Sequence, residues 1–113
     1  MKLARAEMIQ ADKSLKAGNL DTASRHISRS LNQIVGALLG VQNADLTDPD
    51  LPASWTNRGI DPELLERILK IERDCDLIRF APALAGKTAT RELLKRAREV
   101  VDSVSQVKPR VAA

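Results

Sequence analysis

At 113 residues, with 43% apolar and 29% charged side chains, the chain has the length and composition of one small globular domain. Its apolar runs, such as residues 36–41, fall far short of the roughly 20 residues that cross a bilayer, and Glu7, Gln10, Asp12 and Lys13 interrupt the place where the apolar region of a signal peptide would stand. The net charge of +3 is unevenly spread: +3 over residues 1–42, −5 over 43–76, +1 over 77–86 and +4 over 87–113. A basic–acidic–basic chain of this kind matches elements to one another or orients a partner, rather than coating a phosphate backbone. Fifteen Ala and fifteen Leu against two aromatics, Trp55 and Phe80, favour helices over strands and leave almost no stacking platform for single-stranded nucleic acid.

Residues 3–17 carry Ala4, Met8, Ala11 and Leu15 at spacings of four, three and four, a narrow apolar stripe that Gly18 ends. Asn19 offers an N-cap oxygen to a second helix with Leu20, Ala23, Ile27, Leu31, Ile34 and Leu38 on one face. So short a turn folds the pair into an antiparallel hairpin. The stretch Lys16-Ala17-Gly18-Asn19-Leu20-Asp21-Thr22-Ala23 resembles the turn of a tetratricopeptide repeat, but it occurs once, which makes a TPR-like hairpin and not a solenoid.

Between Gly40 and Gly59, Asp48-Pro49 and Leu51-Pro52 break the pattern, leaving a connector with one short helical turn near residues 53–57. Trp55 in this connector is either a lid on the core or a contact residue for a partner. Asp61-Pro62-Glu63 then reads as cap, first helical residue and favourable first-turn charge. The helix over 61–79 carries Leu64, Leu65, Ile68, Leu69, Ile71, Cys75 and Ile78, a face wide enough to place it at the centre of the bundle. It ends before Pro82.

After Gly86, Thr88 or Thr90 can cap a last helix over 88–107, whose core face is Leu93, Leu94, Ala97, Val100, Val101, Val104 and Val107. Its other side shows Arg91, Lys95 and Arg98, a basic stripe open to three readings: a solvated face, the counterpart of the acidic helix 61–79, or a contact for a partner or lipid headgroups. Together these elements predict an all-α protein, a small bundle of four main helices plus a short connector helix. Residues 1–107 form a single domain, and 108–113 a flexible C-terminal tail.

Motifs of catalysis are missing. The chain has no GxSxG, Walker loop, HExxH or GxGxxG. Asp74 and Asp76, two apart on a helix, point about 200° apart. His26 has no neighbouring nucleophile, and one His with one Cys cannot form a His/Cys metal site. Cys75, on the apolar face, reads as a buried small hydrophobe, with a thiol-dependent activity as the remote alternative. No catalytic, cofactor-binding or metal-binding residue is therefore expected, and no cofactor.

The run Cys75-Asp76-Leu77-Ile78-Arg79-Phe80-Ala81-Pro82, with the helix over 64–79, the Leu15-Lys16-Ala17-Gly18-Asn19-Leu20 turn and Arg58-Gly59-Ile60, resembles the C-terminal soluble region of the BatD aerotolerance proteins over residues 5–104. The resemblance implies a helical region on the cytoplasmic side of the bacterial inner membrane. It would belong to a longer protein anchored through a segment this chain lacks, working beside MoxR-type ATPases and von Willebrand A domain proteins in aerotolerance or envelope stress. The expected function is then a non-catalytic protein-interaction domain using a rim of Trp55, Arg79 and Phe80, guided by Arg91, Lys95 and Arg98. Phe80 has a competing reading as a plug that closes the core. The alternative function is a basic helical module that binds an anionic membrane surface or nucleic acid through Arg91, Lys95, Arg98 and the tail.

Overall fold

A computed structural model describes residues 2–41 and 44–106. Its helices are α1 (Lys2–Lys16), α2 (Leu20–Leu39), α3 (Leu51–Asn57), α4 (Pro62–Phe80) and α5 (Pro82–Gln106), with no strand among the described residues. The all-α bundle with a short connector helix is as expected. Val107 and the expected tail at 108–113 lie outside the described residues.

The α1–α2 hairpin closes through Gly18, whose φ of 83° is open to glycine at little cost. Its N–H donates to Leu15 O at 3.0 Å and that of Asn19 to Ser14 O at 2.8 Å, the paired bonds of a Schellman turn. Asn19 does not supply the expected cap oxygen, since its side chain makes no capping bond. Ser24 instead donates its hydroxyl to Asp21 O at 2.7 Å.

Helix α2 packs on α1, α4 and α5. Ile27, Leu31, Ile34 and Val35 are fully buried, and so are Ser24 and Ser30. This corrects the expectation that the 61–79 helix is central. Width of an apolar face counts large side chains, whereas α2 also buries serines and Gly36 and so meets neighbours on several sides. Small residues let backbones approach closely, which a core nearly without aromatics requires.

The connector is anchored at both ends. Arg58 Nη2 donates to Leu39 O at 2.6 Å, satisfying a carbonyl at the end of α2. Trp55 is fully buried, and its indole Nε1–H donates to Asp61 O at 2.8 Å. Leu51 and Ile60 are buried in the same core. Asp61 in turn accepts from Glu63 N at 3.0 Å, with Pro62 opening α4, as the sequence predicts.

Before Pro82, Ala81 leaves the helical region at φ −142°, ψ 61°. α5 is two helical pieces, a short one that opens at Pro82, where proline suits a first helical position, and the last helix expected after Gly86. Gly86 (φ 70°, ψ 171°) then kinks the segment. Neither expected threonine provides a side-chain cap: Thr88 is exposed, and Thr90 is buried one turn inside, donating its hydroxyl to Gly86 O at 3.0 Å.

Removing the indole leaves a void and an unmatched carbonyl. Trp55→Ala is expected to cost about 3–5 kcal/mol, and Trp55→Phe about 1–2 kcal/mol through the lost N–H donor. Urea unfolding midpoints check both, and an unchanged midpoint in Trp55→Ala would contradict the burial of this ring.

Candidate interaction surfaces

The three residues expected to form one rim do not meet. Trp55 is enclosed at the start of α4, whereas Arg79 and Phe80 stand at its end, about 28 Å away at 1.5 Å per residue. Arg79 turns back along its own helix to pair with Asp76, and its Nη2 lies 3.6 Å from Glu72 Oε1. Glu72 also accepts from Ser28 Oγ at 2.9 and 2.8 Å, which ties α4 to α2. Arg79 is thus a part of an internal polar clasp.

Phe80 is 87% exposed, so it is not a plug on the core. Leu77, one turn earlier, is 63% exposed. The helical repeat already contains this result: at 100° per residue, Leu77 lies about 200° and Phe80 about 140° from the buried Cys75. Leu77 also lines a cleft of about 440 Å³ between α4 and α5, with Ile78, Ala81, Ala89 and Leu93. Asp74, Glu92 and Arg96 contribute its polar lining.

The basic stripe faces α1, not α4. Arg98 Nη2 lies 3.6 Å from Asp12 Oδ1. The cation that answers the acidic helix is Arg96, whose Nη1 is 2.7 Å from Asp74 Oδ2. Arg96 and the stripe occupy opposite flanks of α5, so the stripe as counterpart of helix 61–79 is ruled out by azimuth. Arg91, Lys95 and Arg98 instead line a cleft of about 390 Å³ with Lys16, Lys87, Asp12, Leu15 and Leu94. Lys87 was legible in the sequence as the residue four before Arg91; Lys16 comes from another helix, so no local pattern reveals it. The Lys16 ammonium, 3.0 Å from Asp12 Oδ2, holds that carboxyl below its ordinary range, and Arg98 adds to the effect.

His26 Nδ1 lies 2.6 Å from Glu7 Oε2 across the α1–α2 hairpin, a part-buried polar contact between helices. Among the described residues there is no group of three or more His, Cys, Asp or Glu side chains placed to hold a metal ion, and no helix is long and apolar enough to cross a membrane. Compared with family models, curated proteins and solved structures, the chain matches none.

Cys75 is fully buried, and burial, reinforced by the nearby Glu72 charge, pushes its thiol from 9.0 up to about 12. A group held in its neutral form by folding stabilises the fold below the unfolded value and loses that contribution as pH rises toward the folded one. The unfolded chain releases this proton near pH 9 and the folded chain near 12, so wild-type stability should fall relative to Cys75→Ala above pH 9, by about 1.4 kcal/mol per pH unit at most. Paired urea titrations at rising pH check the sign, and parallel curves would refute it.

The clasp gives a further expectation. Arg79→Ala leaves Glu72 with one fewer cation in a part-buried site and should destabilise the fold by about 1–2 kcal/mol, whereas Phe80→Ser should stay within about 0.5 kcal/mol of wild type. Thermal unfolding of the two variants separates them; equal melting temperatures would show that Arg79 supports nothing.

Proposed function

We propose that this chain is a non-catalytic protein-interaction domain. The observation that supports this most is the exposure of two large apolar side chains one turn apart on α4, Leu77, which lines an apolar cleft, and Phe80. Phe80 is one of only two aromatic residues in the chain. Leaving it in water forgoes the burial free energy of a phenyl ring, about 1.5–3 kcal/mol, which a partner can recover. Large apolar anchors in or beside a concavity are the features that dominate interface energetics.

The resemblance to the soluble region of the BatD proteins supplies the partner class: a MoxR-type ATPase or a von Willebrand A domain protein at the cytoplasmic face of a bacterial membrane. In this reading the chain is the helical part of a longer anchored protein active in aerotolerance or envelope stress. A second reading, binding of an anionic membrane surface or nucleic acid, draws its support from the basic cleft between α1 and α5 and requires affinity that collapses as salt rises.

The test is direct binding of the chain, and of its Leu77→Ser/Phe80→Ser variant, to the purified MoxR-type ATPase and von Willebrand A proteins of the same organism. The variant should keep its melting temperature and lose at least about tenfold in affinity for one of them, about 1.4 kcal/mol. Failure of the wild-type chain to bind any of them, or unchanged binding by a folded variant, would overturn the reading.

A further inference from the structure

The cleft between α1 and α5 is electrostatically unbalanced. Lys16, Lys87, Arg91, Lys95 and Arg98 border it, with Asp12 as its one carboxylate. Asp12 is already shared by Lys16 at 3.0 Å and Arg98 at 3.6 Å. Lys87, Arg91 and Lys95 have no anionic partner among the described residues, although each is exposed. Like charges three and four residues apart on one helix repel by a few tenths of a kcal/mol per pair. Glu92 and Glu99, three before and four after Lys95, offset part of that cost, but no acidic residue stands three or four places from Lys87 or Arg91, whose repulsion is left uncompensated along α5.

Shape narrows the counter-charge. The cations of α5 recur at spacings of four, four and three, from Lys87 to Arg98, along about 16 Å of helix. They border a concave seam whose floor is the buried Leu15 and Leu94. Low-dielectric walls on either side of a line of charge focus its field outward along the seam. A bilayer presents a flat plane of charge and would engage a broad face. A single-stranded nucleic acid would need stacking rings, and neither aromatic residue lines this cleft. A protein helix with carboxylates repeating every three or four residues has the matching length and spacing.

We propose that the α1–α5 cleft is a docking site for an acidic helical segment of a partner protein, with Lys87, Arg91 and Lys95 as the cations it neutralises. The site shares no lining residue with the apolar cleft that holds Leu77, so it stands or falls independently of the role given to Phe80.

The probe is a fluorescent, end-capped alanine-based peptide with glutamates at positions 1, 5, 9 and 12, compared with its all-glutamine counterpart by anisotropy at about 50 mM salt, where a Debye length exceeds 10 Å. The glutamate peptide should bind the chain and the glutamine peptide should not. Binding should weaken at least about tenfold in Lys87→Gln/Arg91→Gln/Lys95→Gln, with circular dichroism and melting temperature unchanged because all three side chains are exposed. A charge-swapped Lys87→Glu/Arg91→Glu/Lys95→Glu variant, whose cleft then sets four carboxylates against Lys16 and Arg98, should instead take the lysine version of the peptide. No binding of the glutamate peptide, equal binding of the glutamine peptide, or binding untouched by the triple variant would each overturn the proposal. So would phosphatidylglycerol vesicles that bind through the same three residues more tightly than the peptide, since the seat would then belong to a membrane surface.

Discussion

The fold depends on a helix that is buried on more than one side. Helix α2 supports α1, α4 and α5 at once, and it can do so because serines and Gly36 alternate with Ile27, Leu31, Ile34 and Val35. Small side chains let neighbouring backbones approach, and branched ones fill the spaces that remain. The arrangement has a polar cost: Ser30 Oγ and Gln33 Oε1 are buried without hydrogen-bond partners, each a penalty of about 1–3 kcal/mol. Ser28 escapes that cost by donating to Glu72, and the clasp it forms reaches Arg79. A contact between α2 and α4 therefore governs where a residue at the far end of α4 can point.

Local signals in the sequence locate elements well because capping and chain reversal are local chemistry. Gly18 ends α1, Asp61-Pro62-Glu63 begins α4 and Ala81 before Pro82 ends it, each through backbone constraints that act within a few residues. What periodicity leaves open is which neighbour covers a given face. The stripe of α2 reveals the large residues of its core face but not the burial of Ser24, Ser28 and Ser30, since a serine is read as polar until its neighbours are known. Trp55 lies in a polar connector, and only the six-residue reach of its indole to Asp61 O shows it to be a lid. Phe80 is the instructive reverse. Its azimuth on α4 follows from the sequence and contradicts the core role that its hydrophobicity alone suggests.

The charge pattern resolves in a similar way. Arg5 meets Asp102 at 3.3 Å and Asp12 meets Arg98 at 3.6 Å across α1 and α5, while Arg96 meets Asp74 at 2.7 Å across α5 and α4. These pairs are partly or largely exposed, where an ion pair contributes about 0–1 kcal/mol. They follow from the rotation of α5 more than they set it: the buried face of Leu93, Leu94, Ala97, Val100, Val101 and Val104 fixes that rotation, with Arg96 turned to one neighbour and Arg98 to the other. Once that rotation is set, the placement of every other α5 side chain follows.

The middle of α5, residues 87–98, is then a common wall for two unlike surfaces. Ala89, Glu92, Leu93 and Arg96 line the apolar cleft with α4, and Lys87, Arg91, Leu94, Lys95 and Arg98 line the basic cleft with α1. The two sets interleave in sequence but diverge in space, because residues one apart on a helix are turned by about 100°. Gly86 sits at the head of this wall and the Thr90 hydroxyl ties back to its carbonyl, so the kink decides where the wall begins. Charge acts over a Debye length of about 8–10 Å and sets approach and orientation, while apolar burial acts only on contact and sets residence. A wall carrying both, on opposite flanks, gives the two proposed interactions separate geometry: substitutions on one flank leave the residues of the other in place.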